Sequence, residues 1–142
     1  MKSKTINFLK AQGHRITPVR ERIIEIFINA EYPLNAKQIL DLFKRDKIKV
    51  HRATVYREIE FFLSNELIHP VYLGQESISY EINKQEHHHH FVCEKCGKVI
   101  DVNPIGVEKE LEKFENLFRK EQGIKIKRHA LKFFGFCKKC QK

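Results

Sequence analysis

The 142-residue chain contains no apolar run approaching the roughly eighteen residues that a membrane-spanning helix requires. Its opening, Met1-Lys2-Ser3-Lys4-Thr5, does not lead into a secretory signal core. Both absences place the expected site of action in the cytoplasm, with no membrane partner. HExxH, the P-loop, the dinucleotide fingerprint and the nucleophile elbow are also missing. A hydrolytic zinc enzyme would have to assemble its base from scattered carboxylates, so no enzymatic activity is expected. There is no internal repeat and no low-complexity tract. Cysteine is scarce, but its four copies fall into two pairs, Cys93-x-x-Cys96 and Cys137-x-x-Cys140. In a reducing cytosol such pairs bind metal more readily than they form disulfides.

The charge surplus is less decisive than its total of +9 implies. Residues 1–83 carry 13 basic and 10 acidic side chains, and residues 84–142 carry 14 and 8. Four thiolates on one Zn²⁺ would lower the second figure by about two charges. The local pattern is more informative: Lys44, Arg45, Lys47, Lys49, Arg52 and Arg57 stand against Asp46 alone. A solvated face could read this way, so the cluster needs a structural context.

Thr17-Pro18 supplies a capping hydroxyl and a proline at the first helical position, followed by an apolar stripe of Val19, Ile23, Ile26 and Phe27. The helix should end before Pro33. Asn35 caps the next, with Gln38 three residues on and Ile39, Leu42 and Phe43 as its buried face. A third begins near Arg52 and buries Val55, Ile59, Phe62 and Leu63, leaving Thr54, Tyr56, Arg57 and Glu60 outward. Residues 67–73 and 77–82 then flank Gly74-Gln75-Glu76 as a β-hairpin. Three helices followed by a hairpin is the order of a winged helix-turn-helix, whose last helix enters the major groove. The basic loop leads into that helix, which favours phosphate contact over a random solvated face.

After residue 83 the pattern changes. Short strands are expected at Phe91–Cys93 and Val99–Val102, then a helix opened by Asn103-Pro104 with the stripe Val107, Leu111, Phe114, Leu117 and Phe118. Gly123 caps it, and the segment Ile124–Phe136 is apolar enough for a strand buried on one face or on both. The expected architecture is α+β, a winged-helix domain over 1–83 and a small second domain over 84–142. The greasy helix and strand suit either self-association or mutual coverage within one chain.

Metal-ligand capacity is concentrated in His87-His88-His89-His90-Phe91-Val92-Cys93. The run is internal and leads into an apolar strand, unlike a purification tag. If extended, its period of two sends His88 and His90 to one face and His87 and His89 to the other. One segment can then serve two ions. The two Cys-x-x-Cys knuckles allow four thiolates to converge on one tetrahedral Zn²⁺, a closed and therefore structural site, and Gly97 relieves the turn after the first. A redox dithiol is the weaker reading, because no thioredoxin-like context accompanies either pair. Mixed histidine and carboxylate ligands suit Fe²⁺, Mn²⁺, Zn²⁺ or Ni²⁺, and Glu81, Asp101, Glu108 and His129 lie near the relevant elements.

Three motifs in order, His51-Arg52-Ala53-Thr54-Val55-Tyr56-Arg57, HHHHFVCEKCGKVID at 87–101 and RHALKFFGFCKKC ending at Cys140, resemble the ferric uptake regulator family of metal-dependent repressors. The resemblance spans nearly the whole chain. It implies a homodimer with N-terminal winged helices, C-terminal dimerisation domains and double-stranded operator DNA as partner. It carries the structural zinc to Cys93, Cys96, Cys137 and Cys140. It carries a regulatory ion, Fe²⁺ or Zn²⁺ with Mn²⁺ as a further candidate, to Glu81, His88, His90 and Asp101. A second ion goes to His87, His89, Glu108 and His129. DNA contact falls to Tyr56 and Arg57, with Arg52 and Thr54 at the start of the same helix and Arg15 and Arg20 toward the backbone. Two departures stand out: no histidine lies near Tyr32-Pro33, where members supply a hinge ligand, and His89 replaces the aspartate of many iron-type members. A peroxide-sensing regulator of the same family and a metal-buffering zinc protein without DNA are the alternative functions.

Overall fold

The computed structural model describes residues 1–74, 77–83, 88–103, 105–127 and 129–141. The chain divides into two units, Met1–Lys84 and Gln85–Lys142.

The first unit runs α1 (Lys2–Ala11), α2 (Pro18–Asn29), β1 (Leu34–Asn35), α3 (Ala36–Arg45), α4 (Arg52–Ser64), β2 (Ile68–Val71) and β3 (Ser79–Ile82). Helix α2 starts as its sequence demands: Pro18 occupies the first turn and the Thr17 hydroxyl accepts from the Arg20 amide at 3.1 Å. Helix α3 opens on a reciprocal capping box, in which Asn35 Oδ1 accepts from the Gln38 amide and Gln38 Oε1 from the Asn35 amide. The buried faces of α2, α3 and α4 meet around Ile23, Phe27, Ile39, Phe43, Val55, Ile59 and Phe62. Leu63 is only half-buried.

Two elements were not anticipated. Helix α1 precedes the expected three and contributes the fully buried Leu9. Strand β1 joins the hairpin, giving the antiparallel order β1-β3-β2 with Leu34 opposite Tyr80 and Ile68 opposite Ile82. The hairpin residues Gln75 and Glu76 lie outside the described residues.

The second unit contains β4 (His89–Cys93), β5 (Val99–Val102), α5 (Ile105–Gln122) and β6 (Lys132–Gly135). Strand β4 is central: it pairs antiparallel with β5 and parallel with β6. Gly123, at φ +67°, follows α5 in the left-handed conformation that glycine adopts without strain. The strand expected over 124–136 is shorter and is buried on neither face: among the described residues only Lys132–Gly135 pairs with β4, and Phe133 and Phe134 are exposed. Among the described residues of this unit, only His89, His90, Val92 and Cys93 are buried. Helix α5 keeps Phe114, Leu117 and Phe118 exposed at 58, 47 and 38%, and Phe133 and Phe134 of β6 are exposed as well. The greasy helix and strand therefore do not cover each other. No helix among the described residues is long and apolar enough to cross a membrane.

Candidate metal centre

Strand β4 gathers ligand atoms through its pleat. His88 and His90 are two residues apart and their rings meet edge to face, with centroids 5.1 Å apart. Asp101 is the β5 residue paired with His90, and its Oδ1 lies 3.6 Å from His90 Nε2. Of the expected regulatory set, these three come together on one face of the sheet. Glu81 belongs to the first unit, on the middle strand of the wing, and its side chain is 10% exposed. Its Oε1 lies 2.8 Å from Nε2 of His69, its cross-strand partner.

His89 points the opposite way, into a cluster with Glu108 and His129 whose ligand atoms lie within 4.8 Å of one another. Its Nε2 hydrogen-bonds Glu108 Oε1, and the Leu131 amide donates to its Nδ1 at 3.1 Å, which fixes the ring. His129 Nε2 lies 3.3 Å from Glu108 Oε2, and its Nδ1 donates to Glu115 Oε1 at 2.8 Å. A carboxylate on one imidazole nitrogen sets the tautomer and directs the other nitrogen toward a metal. Glu115 was not among the expected residues, since one more glutamate on an amphipathic helix has no distinguishing sequence signal. His87, assigned to the same site by resemblance, lies outside the described residues.

The four cysteines form the third cluster. Their sulfurs lie within 4.8 Å of one another, and Cys96 Sγ to Cys137 Sγ is 3.8 Å. Zn–S bonds of about 2.3 Å in a tetrahedron place sulfurs about 3.8 Å apart, so the donor set fits the ion. Gly97, at φ +70°, closes the first knuckle with its amide donating to the Cys93 carbonyl at 2.8 Å. The Cys137 amide donating to Cys93 Sγ lowers that thiol's pKa to about 6. Cys140 is pushed up to about 12, chiefly by its hydrogen bond with Cys137. Crowded sulfurs cannot all ionise without a cation among them.

On the first unit, Arg52, Tyr56 and Arg57 are exposed on α4 and Thr54 is half-buried. Arg52 Nη2 donates to the Tyr56 hydroxyl at 3.2 Å, one helical turn on. Arg15 is exposed. Arg20 is engaged elsewhere. Its guanidinium donates to both Glu58 oxygens at 2.7 and 3.1 Å and to the Arg15 carbonyl at 2.7 Å, and it stacks 3.5 Å from the Phe61 ring centroid. With 14% of its side chain exposed, Arg20 ties α2 to α4.

The family model described as the ferric uptake regulator family matches residues 11–134. The chain belongs to the ferric uptake regulator family. The ferric uptake regulation protein of Neisseria meningitidis serogroup A is 31% identical over 99% of this chain and 95% of its own length. The peroxide operon regulator of Bacillus subtilis is 30% identical over 98% of this chain and 92% of its own. Among solved structures, the Helicobacter pylori ferric uptake regulator, described as having three functional metal-binding sites, matches with a TM-score of 0.78 at 26% identity, covering 99% of this chain and 91% of that one. The family's members are metal-responsive transcriptional regulators and include peroxide regulators, so membership favours transcriptional control over catalysis or metal buffering.

Proposed function

We propose that this member of the family is a cytoplasmic homodimeric repressor that binds operator DNA when a regulatory metal ion is held. The carrying observation is the coexistence in one chain of an α4 face that exposes Arg52, Tyr56 and Arg57 with histidine–carboxylate clusters separate from the four-cysteine site. Arg52, Thr54, Tyr56 and Arg57 supply the DNA-facing side of α4, with Arg15 toward the backbone. Glu81, His88, His90 and Asp101 are the regulatory ligands, and His87, His89, Glu108 and His129 hold the second ion. The exposed aromatic side of α5 and β6 supports self-association, since surfaces this apolar mark interfaces.

A bound dication supplies ligand bonds that only one arrangement of the regulator can satisfy. Around it, the chain's own residues set the response. Asp101 and the paired histidines offer neutral nitrogen and anionic oxygen donors. Helix α4 presents its base-reading side chains on a rigid core. Moving an equilibrium from 1:99 to 99:1 needs a differential affinity of about 5.5 kcal/mol, which one or two inner-sphere ligands can provide.

The test is selection from a random duplex library by full-length protein with zinc at its cysteines, with and without added Mn²⁺, Fe²⁺ or Zn²⁺. Metal-dependent enrichment of a two-fold symmetric sequence is expected. Arg57→Ala should weaken binding to that sequence by about 1–3 kcal/mol. Enrichment indifferent to metal in every case, or none at all, would sink the proposal.

A further inference from the structure

His69 lies on the wing and has no place in the ligand sets above. It stands opposite Glu81 in the β2–β3 register, with its Nε2 2.8 Å from Glu81 Oε1. Its Nδ1 lies 2.6 Å from Asn83 Oδ1. The orientation of Asn83 is fixed independently, because its Nδ2 donates to the Glu66 carbonyl and its own amide donates to the Leu67 carbonyl at 2.9 Å. The Asn83 atom facing the ring is therefore an acceptor, and His69 Nδ1 carries a proton. The ring's other nitrogen faces a carboxylate oxygen, which when ionised can only accept. His69 thus bridges Glu81 and Asn83, and the chain of contacts from Glu81 through His69 and Asn83 ends on backbone.

This arrangement does two things to Glu81. It holds one carboxylate oxygen in a fixed direction at the base of the wing, and it leaves the lone pairs of the second oxygen oriented by the first. Ligating carboxylates in metal sites are characteristically hydrogen-bonded in this way, and losing the partner typically lowers metal affinity about 10- to 100-fold. A cross-strand pair serving only the sheet would not need the third member, yet here Asn83 immobilises the far side of the ring.

We infer that His69 is a positioning residue for the regulatory metal, acting through Glu81, with Asn83 as its anchor. The inference rests on the reading of Glu81 as a ligand. It also gives this chain an imidazole beside Glu81 from β2, where its sequence has none near Tyr32-Pro33 on the β1 side.

The test is titration of the full chain, zinc-loaded at its cysteines and carrying His129→Ala to silence the second ion, with Co²⁺ followed by visible absorption. His69→Ala should weaken Co²⁺ binding about 10- to 100-fold, and Asn83→Ala by less. His69→Gln, which keeps an N–H donor, should recover part of the loss. Zinc content and melting temperature serve as folding controls. On a Glu81→Gln background, His69→Ala should cost nothing further, because its route to the ion is gone. Losses that multiply across the two substitutions mean a merely structural role and overturn the inference. If Glu81→Gln and His90→Ala weaken binding while His69→Ala does not, the inference alone fails. If neither Glu81→Gln nor His90→Ala matters, the ligand reading falls and takes this inference with it.

Discussion

Arg20 and Glu58 come from helices whose contact the sequence cannot announce, 38 residues apart, and their pair is 14 and 13% exposed. Removing one partner leaves the other charge poorly solvated, so Arg20→Ala should lower stability by about 3 kcal/mol, read from chemical denaturation. The same variant should leave the salt dependence of DNA binding unchanged. A slope reduced by about one counterion, with stability intact, would return Arg20 to the phosphate backbone. The histidine run was far more legible than Arg20. Strand parity alone separates His88 and His90 from His89, and the structure places His89 with Glu108 and His129 on the other side. His69 was within reach too: a hairpin centred on residue 75 puts 69 opposite 81, but a histidine in a strand gives no sign of its partner until the register is known.

At the scale of elements, three helices end in the same hydrogen-bond pattern. The residue after the cap donates three back and its successor donates five back, as Gly13 to Lys10 and His14 to Leu9 do. After α3 and α4 the left-handed position is filled by Lys47 at φ 58° and Glu66 at φ 54°. A side chain there costs roughly 1–2 kcal/mol, and glycine's extra freedom when unfolded offsets part of that. Glu66→Gly and Lys47→Gly should each raise stability by about 0.5–1 kcal/mol, measured by denaturation. A loss in both would mean the side chains carry contacts that outweigh the strain. The starts of α2 and α3 were legible because Thr17-Pro18 and Asn35 with Gln38 act locally. Strand β1 was not, since two residues show no alternation. Residues 124–131 read as strand from their apolar content, but pairing depends on a neighbouring edge that sequence does not display.

The two units differ in what holds them together. The first has a continuous apolar core built by all four of its helices and its sheet. In the second, the buried described residues are His89, His90, Val92 and Cys93, three of them metal-ligand types. Metal binding there is folding free energy. Stripping zinc from the full chain, or making Cys93→Ser, should abolish protection from hydrogen exchange across β4–β6 and dissociate the proposed dimer on gel filtration. The helical signal of the first unit should persist. Simultaneous collapse of both units would show that they stand or fall together. The broad architecture was legible because hydrophobic periodicity and cysteine spacing are written along the chain. The thinness of the second core was not, because α5 and β6 read as greasy whether or not they cover each other.

Strand β4 also bears on how such a protein can diverge. His88, His89 and His90 alternate between two clusters and the strand they lead into ends on Cys93 of the first zinc knuckle, so the ligand positions are read off a single backbone repeat. Exchanging one ligand for another touches one cluster at a time. Inserting or deleting a single residue between His88 and Cys93 reverses every side chain on one side of the change and misaligns all the clusters at once. Lineages should therefore retune this segment by substitution while its length stays constant, and length variation should collect instead in the loops between strands.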